Sequence, residues 1–545
     1  MKKVSIFFAS ALLMLGFASC SLDRTPTDPN TNTEFDQDGV FTKLYATFAV
    51  TGQKGPDGDG DVDGIDEGTS AFYRMLWELN EFPTDEGWWI WNDVGLSDIR
   101  SMTWDKSNAL VAGLYYRLYF DITLCNHFMS MVKDNLSDTK TAQQYYEARM
   151  IRAINYYYLL DMFYKVPLVE VVSVDNPMPV SRQELFTWLE RECLDLETQL
   201  PAAGSRVTKY RLDQAAAWVI LMRMYLNAEV YTGTAQWSKA AEYASKLINS
   251  PYKLHETSVG MYSAYQMLFM GDNDVNGAQD EAIFFISQNA IQTQSWGGAR
   301  FLICAMRDAK FIPSGSTDSW SCFRTSPEFV YQWVDPLTAP TVLADEFHMP
   351  ALLGDDRAIL CSDCDSTTST WSISGKQEAD FYTSWAGLKW TGVYSTSPTP
   401  NDFVSPVGEP NWPETDIPFF RVAEAYMTYA EAVYRGGAAG SMTAEQAIQK
   451  LRDRANNTNP FTIDLDFLLD EWSREFWFEG RRRTDLVRFG KFAGETADYN
   501  WEGRGGKNTG DAAKAMDKRY NVYPIPAADE TANPNLRTIN AEIGY

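Results

Sequence analysis

The most regular feature of this chain is the spacing of its apolar residues, which recur at helical intervals over two long stretches. These run from 108 to 131 and from 141 to 164, and few helix-breaking residues interrupt them. In the second stretch, Ile151, Ile154 and Tyr158 share one face when the chain is wound as a helix. The pattern therefore predicts two long helices.

Further helices are predicted along the chain, and they come in pairs joined by short turns. Ser181 and Glu184 have the spacing of a capping box, which begins a helix that ends near Leu200. The apolar spacing predicts additional helices over 212–231, 236–248, 420–435, 443–456 and 465–483. The first of these pairs has small and aromatic residues close to tetratricopeptide spacing. We therefore predict a mostly α fold, a tetratricopeptide-like scaffold of helical hairpins over about 108–250 and 420–490.

The segment between the two groups of hairpins has a different composition. Residues 257–415 contain clusters of Ser, Thr, Gly and Pro together with many aromatic residues. Such loop-rich segments carry function on a rigid scaffold. We predict a single domain over 35–545, in which 257–415 is a long, loop-rich, ligand-binding excursion.

The first residues have the pattern of a targeting signal. Two lysines precede an apolar run from Val4 to Phe17, which is too short to span ~30 Å of hydrocarbon. The run ends in FASC, which resembles the lipobox of bacterial lipoproteins, where the cysteine sulfur carries lipid. We predict a signal peptide over 1–19, a lipidated Cys20 and a tether over 20–34. The alternative is a plain secretory signal with a chance cysteine.

Charge and motif content argue against several classes of function. The chain has 47 basic and 73 acidic residues, a net charge of −26 that repels the phosphates of nucleic acid. The three histidines are not spaced as metal pairs, and the usual hydrolase, ATPase and dehydrogenase motifs are missing from the sequence. Glycoside hydrolysis stays open, because its two carboxylates leave no local spacing to read. Cys361 and Cys364 are a weak metal candidate, because no second pair accompanies them.

Two aspartate-rich loops are candidates for calcium, which prefers several oxygen ligands on a tight turn. One loop is DGDVDG from Asp59, and the other is DNDVNG from Asp272. Both repeat the first half of an EF-hand loop, but neither has glutamate at the twelfth position. A solvated turn is at least as good an interpretation for the first loop, and the two interpretations are about even for the second.

Tryptophan residues are grouped in a way that favours exposure. Trp88, Trp89 and Trp91 lie within four residues, more indoles than one face of a strand or helix buries, so we expect at least one to be exposed. Trp296 and Trp320 stand in Gly/Ser-rich loops, where glycine lets a ligand approach the backbone closely. Each ring can stack on a sugar or simply pack in the core.

Four stretches of the sequence together resemble the SusD family of Bacteroidetes glycan-uptake lipoproteins. They are EARMIRAINYYYLLDMFYKVPLV from Glu147, FFRVAEAYMTYAEAVYRGG from Phe419, EWSREFWFEGRRRTDLVRFGKF from Glu471 and YPIPAADETANPNL from Tyr523. We expect the arginines of the third stretch to be structural and to pair with Glu475, Glu479 and Asp485. The resemblance implies a binding protein, not an enzyme, anchored by lipid on the outer face of the outer membrane.

The resemblance also implies site residues. Starch-binding members bind α-1,4-glucan on an arc of aromatic rings, and the matching positions are Trp91, Trp296 and Trp320. Arg74 matches an arginine that hydrogen-bonds sugar hydroxyls. Two positions depart from these members: Trp296 replaces a tyrosine, and Val94 replaces an asparagine that contacts the glucan, so the exact glycan stays open.

Calcium and a partner protein are implied in the same way. The calcium ligands would be Asp272, Asp274 and Asn276 with help from Asp416. The calcium would have a structural role, and the resemblance implies no catalytic cofactor. The partner would be a SusC-like TonB-dependent transporter that receives starch or malto-oligosaccharide. The alternatives are a SusD-like binder of a different glycan, a surface glycosidase, and a tetratricopeptide scaffold that binds protein segments.

Overall fold

The computed structural model describes residues 35–89, 91, 93–307, 314–334, 344–362, 385–494, 501, 504–505 and 515–545. These residues are mostly helical, which confirms the predicted fold class. The helices are α1 Gln37–Ala49, α2 Phe72–Glu81, α3 Leu96–Ser101, α4 Ala109–Val132, α5 Thr139–Met162, α6 Arg182–Gln199, α7 Gln214–Leu226, α8 Ala228–Thr232, α9 Trp237–Ile248, α10 Ala264–Met267, α11 Ala299–Cys304, α12 Pro327–Tyr331, α13 Met349–Leu353, α14 Ala423–Tyr434, α15 Ala444–Arg454, α16 Leu465–Phe476, α17 Arg482–Arg488, α18 Ala527–Ala532 and α19 Ile539–Ile543.

The longer helices pack as a stack of antiparallel neighbours. Helix α4 packs on α5, α5 on α6, α6 on α7 and α7 on α9, so each helix lies beside its neighbours in sequence. Helix α14 then packs on α9 and α15 on α14, although the whole excursion separates α9 from α14 in sequence. The excursion is therefore an insertion between two hairpins that are neighbours in the stack.

Capping side chains stand at the start of two of the predicted helices. The Asn108 side chain accepts hydrogen bonds from the backbone N–H groups of Leu110 and Val111, so Asn108 caps α4 and the helix begins one residue later than predicted. Ser181 and Glu184 form both bonds of the predicted capping box at the start of α6. The capping box depends on a few consecutive residues, which is why the sequence alone predicts it.

The prediction of one helix over 465–483 is wrong. The chain forms α16 and α17 instead, and the backbone between them adopts positive φ at Phe478 (56°) and at Gly480 (74°). Distant groups stabilise this break: the Phe478 carbonyl accepts from Trp77 Nε1 at 3.0 Å and from Trp390 Nε1 at 3.2 Å, and the Phe478 N–H donates to Glu86 at 3.0 Å. No local pattern carries that information.

Short antiparallel strand pairs join separate segments of the chain. The strands are β1 Gly87–Trp89, β2 Lys165–Pro167, β3 Pro179–Ser181, β4 Ala282–Ile286, β5 Phe323–Thr325, β6 Leu360–Cys361, β7 Ala386–Gly387 and β8 Ile417–Arg421. The pairs are β1 with β5, β2 with β3, β4 with β8 and β6 with β7. Phe420, predicted to begin a helix, lies in β8, because the chain first pairs with β4 and only then enters α14.

A buried network of charges ties the returning chain to α16. Glu475 accepts from Arg421 of β8 at 2.7 Å, and it also pairs with Arg454 and with Arg357. Burial raises the pKa of Glu475, but the three guanidinium groups outweigh it and lower the pKa to about 2. The network therefore joins a strand, two helices and the excursion at one carboxylate.

The predicted pairing of the arginine-rich motif is partly wrong. Asp485 does pair with two arginines of the motif, Arg481 and Arg488, both at short range. Glu475 instead pairs with the three arginines named above, and Glu479 pairs with Arg421 and Lys389. Glu475 and Glu479 thus pair with residues outside the motif, although the motif arginines lie close to them in sequence. The structural role expected for the arginines is confirmed.

Several predictions concern residues outside the described ranges. The signal peptide at 1–19, the lipidated Cys20, the tether at 20–34 and Cys364 all lie there, and they remain predictions. The described residues from 40 onwards form one compact unit. In the part of the chain that the structure describes, no helix is both long enough and apolar enough to cross a bilayer.

Candidate functional site

The three predicted tryptophans come from separate loops and meet in one row. Trp91 follows β1, Trp320 precedes β5, and Trp296 precedes α11. Because β1 pairs with β5, the strand pairing brings Trp91 and Trp320 together, with ring centroids 6.1 Å apart and planes tilted by 36°. The Trp320 and Trp296 centroids are 6.4 Å apart with a tilt of 40°. Trp320 is thus the middle ring of a tilted row.

This row lies along a surface cleft of about 750 Å³. Its wall includes the three indoles and, opposite or beside them, Gly64, Ile65, Asp66, Thr69, Arg74, Asp93, Val94, Leu96, Ala109 and Leu110. Trp91 is 37% exposed, whereas Trp89 packs in the core at 3%, so the expectation that one of the grouped indoles is exposed is confirmed. Trp296 and Trp320 are half-buried and present part of their surface.

A strained turn fixes the orientation of Trp320. Its backbone N–H donates to the Cys304 carbonyl at 2.8 Å, at the end of α11. The next residue, Ser321, has a φ of 53°, which non-glycine residues adopt only when other contacts hold them there. Ser321 N–H donates to the Arg307 carbonyl at 2.9 Å, and the Ser321 hydroxyl accepts from Arg324 at 2.8 Å. These bonds hold the turn in one conformation.

The glycines around Trp296 allow close packing within the protein. Our expectation that they let a ligand approach the backbone is therefore wrong. A Cβ at Gly297 would lie 2.3 Å from the Ala71 Cβ, and one at Gly298 would lie 2.2 Å from Gln288 Oε1. A Cβ at Gly68 would lie 2.5 Å from the Cβ of Trp296 itself. Glycine is therefore needed so that the Trp296 loop can approach the start of α2.

Arg74 lies on α2 with its guanidinium in the cleft wall. Its Nε donates to Glu78 Oε1 at 2.8 Å, and its Cζ lies 4.8 Å from the centroid of the Phe301 ring. Burial raises the pKa of Glu78, and the Arg74 charge opposes that rise. Within the described residues, the two terminal nitrogens of Arg74 donate no hydrogen bond, so they can donate to a ligand in the cleft.

The departure at Val94 leaves an apolar side chain in the cleft. Val94 is 83% exposed there, and it makes no polar contact. Asp93, the residue before it, also lines the cleft, and burial raises the pKa of its carboxyl while the charge of Arg74 opposes the rise. Asp93 is therefore an acceptor of hydrogen bonds beside the Arg74 donor, a role that the sequence alone did not indicate.

Two further residues near the row were not predicted. The Trp412 ring lies 5.1 Å from the Trp296 ring, and the guanidinium of Arg300 contacts both rings. The only available signal was the position of Trp412 in a proline-containing loop. Arg300 carries no signal, since its partners lie far away in sequence.

The predicted calcium residues form a cluster with its own internal partners. Asp272 accepts from the backbone and hydroxyl of Ser395, at 3.0 and 2.7 Å, and from the Asn276 side chain at 3.3 Å. Asp274 pairs with the Lys209 ammonium at 2.5 Å. Asp416 is buried beside the Tyr210 hydroxyl, and its Oδ1 accepts from the Gln288 N–H at 2.6 Å. Among the described residues, no group lies within hydrogen-bond geometry of its Oδ2.

The fit of this cluster to a cation is partial. Burial raises the pKa of Asp416 to about 8, and the nearby Asp274 adds to the rise. A cation beside Oδ2 would satisfy that oxygen, but it would have to take the place of Lys209 at Asp274. Across the described ranges, no three His, Cys, Asp or Glu side chains are already arranged as a metal site.

Comparison with known proteins decides the family. A sequence profile described as the SusD family matches residues 389–545. The chain is 38% identical to the starch-binding protein SusD of Bacteroides thetaiotaomicron over 571 residues, an alignment that covers 98% of each chain. The chain belongs to the SusD family. A SusD-like protein of Bacteroides ovatus is 21% identical, over 89% of this chain and 84% of its own length.

Solved structures of SusD-like proteins share the fold. A SusD-like carbohydrate binding protein from Bacteroides fragilis has a TM-score of 0.64 at 20% identity, and it covers 92% of this chain and 98% of its own. The surface glycan-binding protein A of Bacteroides thetaiotaomicron, in complex with laminarihexaose, has a TM-score of 0.62 at 15% identity over 92% and 98% of the two chains. The expectation of a binding protein and not an enzyme agrees with this family.

Proposed function

We propose that this SusD-family protein binds starch-type α-1,4-glucan oligosaccharides in the cleft and delivers them to a SusC-like TonB-dependent transporter. The observation that carries the proposal is the row of Trp91, Trp320 and Trp296 along the cleft wall, with successive centroids 6.1 and 6.4 Å apart. The 38% identity to a starch-binding protein supports the choice of glucan.

The tilt between the rings supports a bent ligand. Because successive indole planes differ by 36° and 40°, a flat and straight chain cannot stack on all three rings. An α-1,4-glucan coils, so its successive sugar rings also change orientation and present apolar C–H faces one after another. Rigid aromatic side chains lose little entropy when they bind, so the fit can be obtained with few hydrogen bonds.

Polar groups in the cleft would fix the register of the chain. Arg74 donates and Asp93 accepts, so together they suit the paired hydroxyls of a sugar ring. Val94 provides only an apolar contact, since its side chain has no polar atom. We therefore assign the main polar contacts of the bound glucan to Arg74 and Asp93.

The anchor and the partner belong to the same proposal. A lipid on Cys20 and a tether over 20–34 would hold the protein at the surface of the outer membrane. A polymer offers many equivalent repeats to many anchored copies, so modest single-site affinity gives high avidity. A transporter beside the protein would then receive the captured chain.

Isothermal titration of the protein against maltoheptaose, laminarihexaose and cellohexaose tests the proposal. We expect maltoheptaose to bind at least about tenfold more tightly than the two β-linked chains, a difference of ~1.4 kcal/mol. Trp91→Ala should weaken maltoheptaose binding, whereas Trp237→Ala should not, because Trp237 lies on α9 and does not line the cleft. Tighter binding of laminarihexaose would contradict the choice of glucan.

The same samples separate binding from hydrolysis. Asp66 and Asp93 both line the cleft, so the carboxylates that a glycosidase needs are present there. Incubation of the protein with amylose should release no new reducing ends over hours. Release that Asp93→Asn abolishes would contradict a purely binding role.

We also propose that calcium binds beside Asp274 and Asp416 with a structural role. The Asp416 Oδ2, which accepts no hydrogen bond from the described residues, supports this, and Lys209 would move aside. Calcium should raise the melting temperature of the wild type but not of Asp416→Asn. Asp59→Asn, in the other aspartate-rich loop, is the control and should keep the response, because Asp59 is exposed and pairs with the exposed Lys54. An unchanged melting temperature in the wild type would rule calcium out.

A further inference from the structure

Arg300 contacts the row of tryptophans but does not line the cleft. Its Cζ lies 4.4 Å from the centroid of the Trp296 ring and 4.7 Å from that of Trp412, and the two rings lie 5.1 Å apart, so the guanidinium and the two indoles form one cluster in mutual contact. Only 5% of Arg300 is exposed, and it does not line the cleft. It therefore contacts Trp296 from within the protein and not from the cleft.

The same guanidinium is connected to Trp320 through one carboxylate. Arg300 Nη2 donates to Asp318 Oδ2 at 2.7 Å, and this oxygen also accepts from Trp320 Nε1 at 3.0 Å. Arg300 Nη1 donates to the Asn411 carbonyl at 2.6 Å, which fixes the plane of the guanidinium. Burial raises the pKa of Asp318, but the bonds from Trp320 and Arg300 outweigh it and leave the pKa below its usual value.

We propose that Arg300 and Asp318 are positioning residues that set the spacing between Trp296 and Trp320, and thereby the length of glucan that the row binds. This inference rests on the proposed function. Neither residue touches the sugar: Arg300 holds Trp296 by stacking, and Asp318 holds Trp320 by accepting from its indole N–H. Without this pair the two rings lose their shared support and no longer present matched faces to consecutive parts of one chain.

The effect should depend on ligand length. A short oligosaccharide rests on one or two rings and tolerates a change in their spacing, whereas a long one needs all three. Arg300→Gln should therefore weaken maltoheptaose binding about tenfold, and maltotriose binding less than ~3-fold, in line with the coupling energies of residues in contact. Arg300→Lys keeps a charge for Asp318 but loses the planar stack, so its loss should be intermediate.

Arg435 offers a matched control. Its guanidinium also contacts two rings, 5.2 Å from Trp237 and 4.6 Å from Phe489, and it also pairs with a carboxylate, Glu431 at 2.8 Å. It lies at the end of α14 and does not line the cleft. Arg435→Gln should leave both affinities unchanged. Equal losses for the two oligosaccharides in Arg300→Gln, or no loss at all, would overturn the inference.

A measurement without ligand separates this inference from the proposed function. In protein labelled with fluorotryptophan, the ¹⁹F signals of Trp296 and Trp320 are assigned from Trp→Phe variants. Arg300→Gln should shift or broaden these two signals, whereas Arg435→Gln should not. Unchanged signals would overturn the positioning role even if the wild type bound no glucan. Should Arg300→Gln fail to fold, Asp318→Asn decides by the same signals, since the Asp318 side chain is 43% exposed and its loss is tolerable.

Discussion

Replacing Trp320 by alanine removes the middle ring of the row. Trp320 lies 6.1 Å from Trp91 and 6.4 Å from Trp296, so its loss leaves the outer rings without a shared neighbour. Tryptophan at the centre of a binding surface typically contributes 2 kcal/mol or more, which corresponds to ~30-fold in affinity. Trp91→Ala removes an end ring only, and we expect about a tenfold loss.

Titration calorimetry with maltoheptaose measures this difference. Trp320→Phe keeps a stacking face and should recover most of the affinity, although it loses the bond to Asp318. The melting temperature of each variant shows whether the loss is local, because Trp320 is half-buried. If Trp320→Ala bound maltoheptaose within twofold of the wild type, the row could not be the glucan surface.

Three further predictions concern charged groups. Arg74→Gln should weaken maltoheptaose binding by ~10-fold, since a charged donor to a hydroxyl is lost, and titration measures it. Burial is the main cause that raises the pKa of Glu67 to about 7, and two nearby aspartates add to the rise. The folded state therefore becomes less stable as Glu67 ionises between pH 4.5 and 8. Glu67→Gln should therefore melt like the wild type at pH 4.5 and higher at pH 8, and an equal difference at both pH values would contradict this. Glu475→Gln removes a buried negative charge that three arginines share, and it should destabilise the fold by ~3 kcal/mol in urea unfolding although each arginine keeps another carboxylate. Asp466→Asn, at an exposed site, should not.

The fold was predictable where short-range patterns decide it. The capping box at Ser181, the paired helices and the loop-rich excursion all follow from residues close together in sequence. The break at Phe478 was not predictable, because Trp77, Trp390 and Glu86 stabilise it from distant parts of the chain. The partners of Glu475 were missed for the same reason.

The site residues also fall into two groups, those that the sequence predicts and those that only tertiary packing reveals. Family resemblance indicated Trp91, Trp296, Trp320 and Arg74, and the structure brings all four to one cleft. The support of the row was not predictable, because Arg300 and Trp412 meet Trp296 only through tertiary packing. The glycines near Trp296 were assigned to ligand access, yet they allow loops of the protein itself to approach one another.

A crystal structure of the protein soaked with maltoheptaose tests the account most directly. We predict density for consecutive glucose rings over Trp91, Trp320 and Trp296, with sugar hydroxyls within hydrogen-bond distance of the terminal nitrogens of Arg74. Maltoheptaose bound at another surface, with the three indoles bare, would contradict the account.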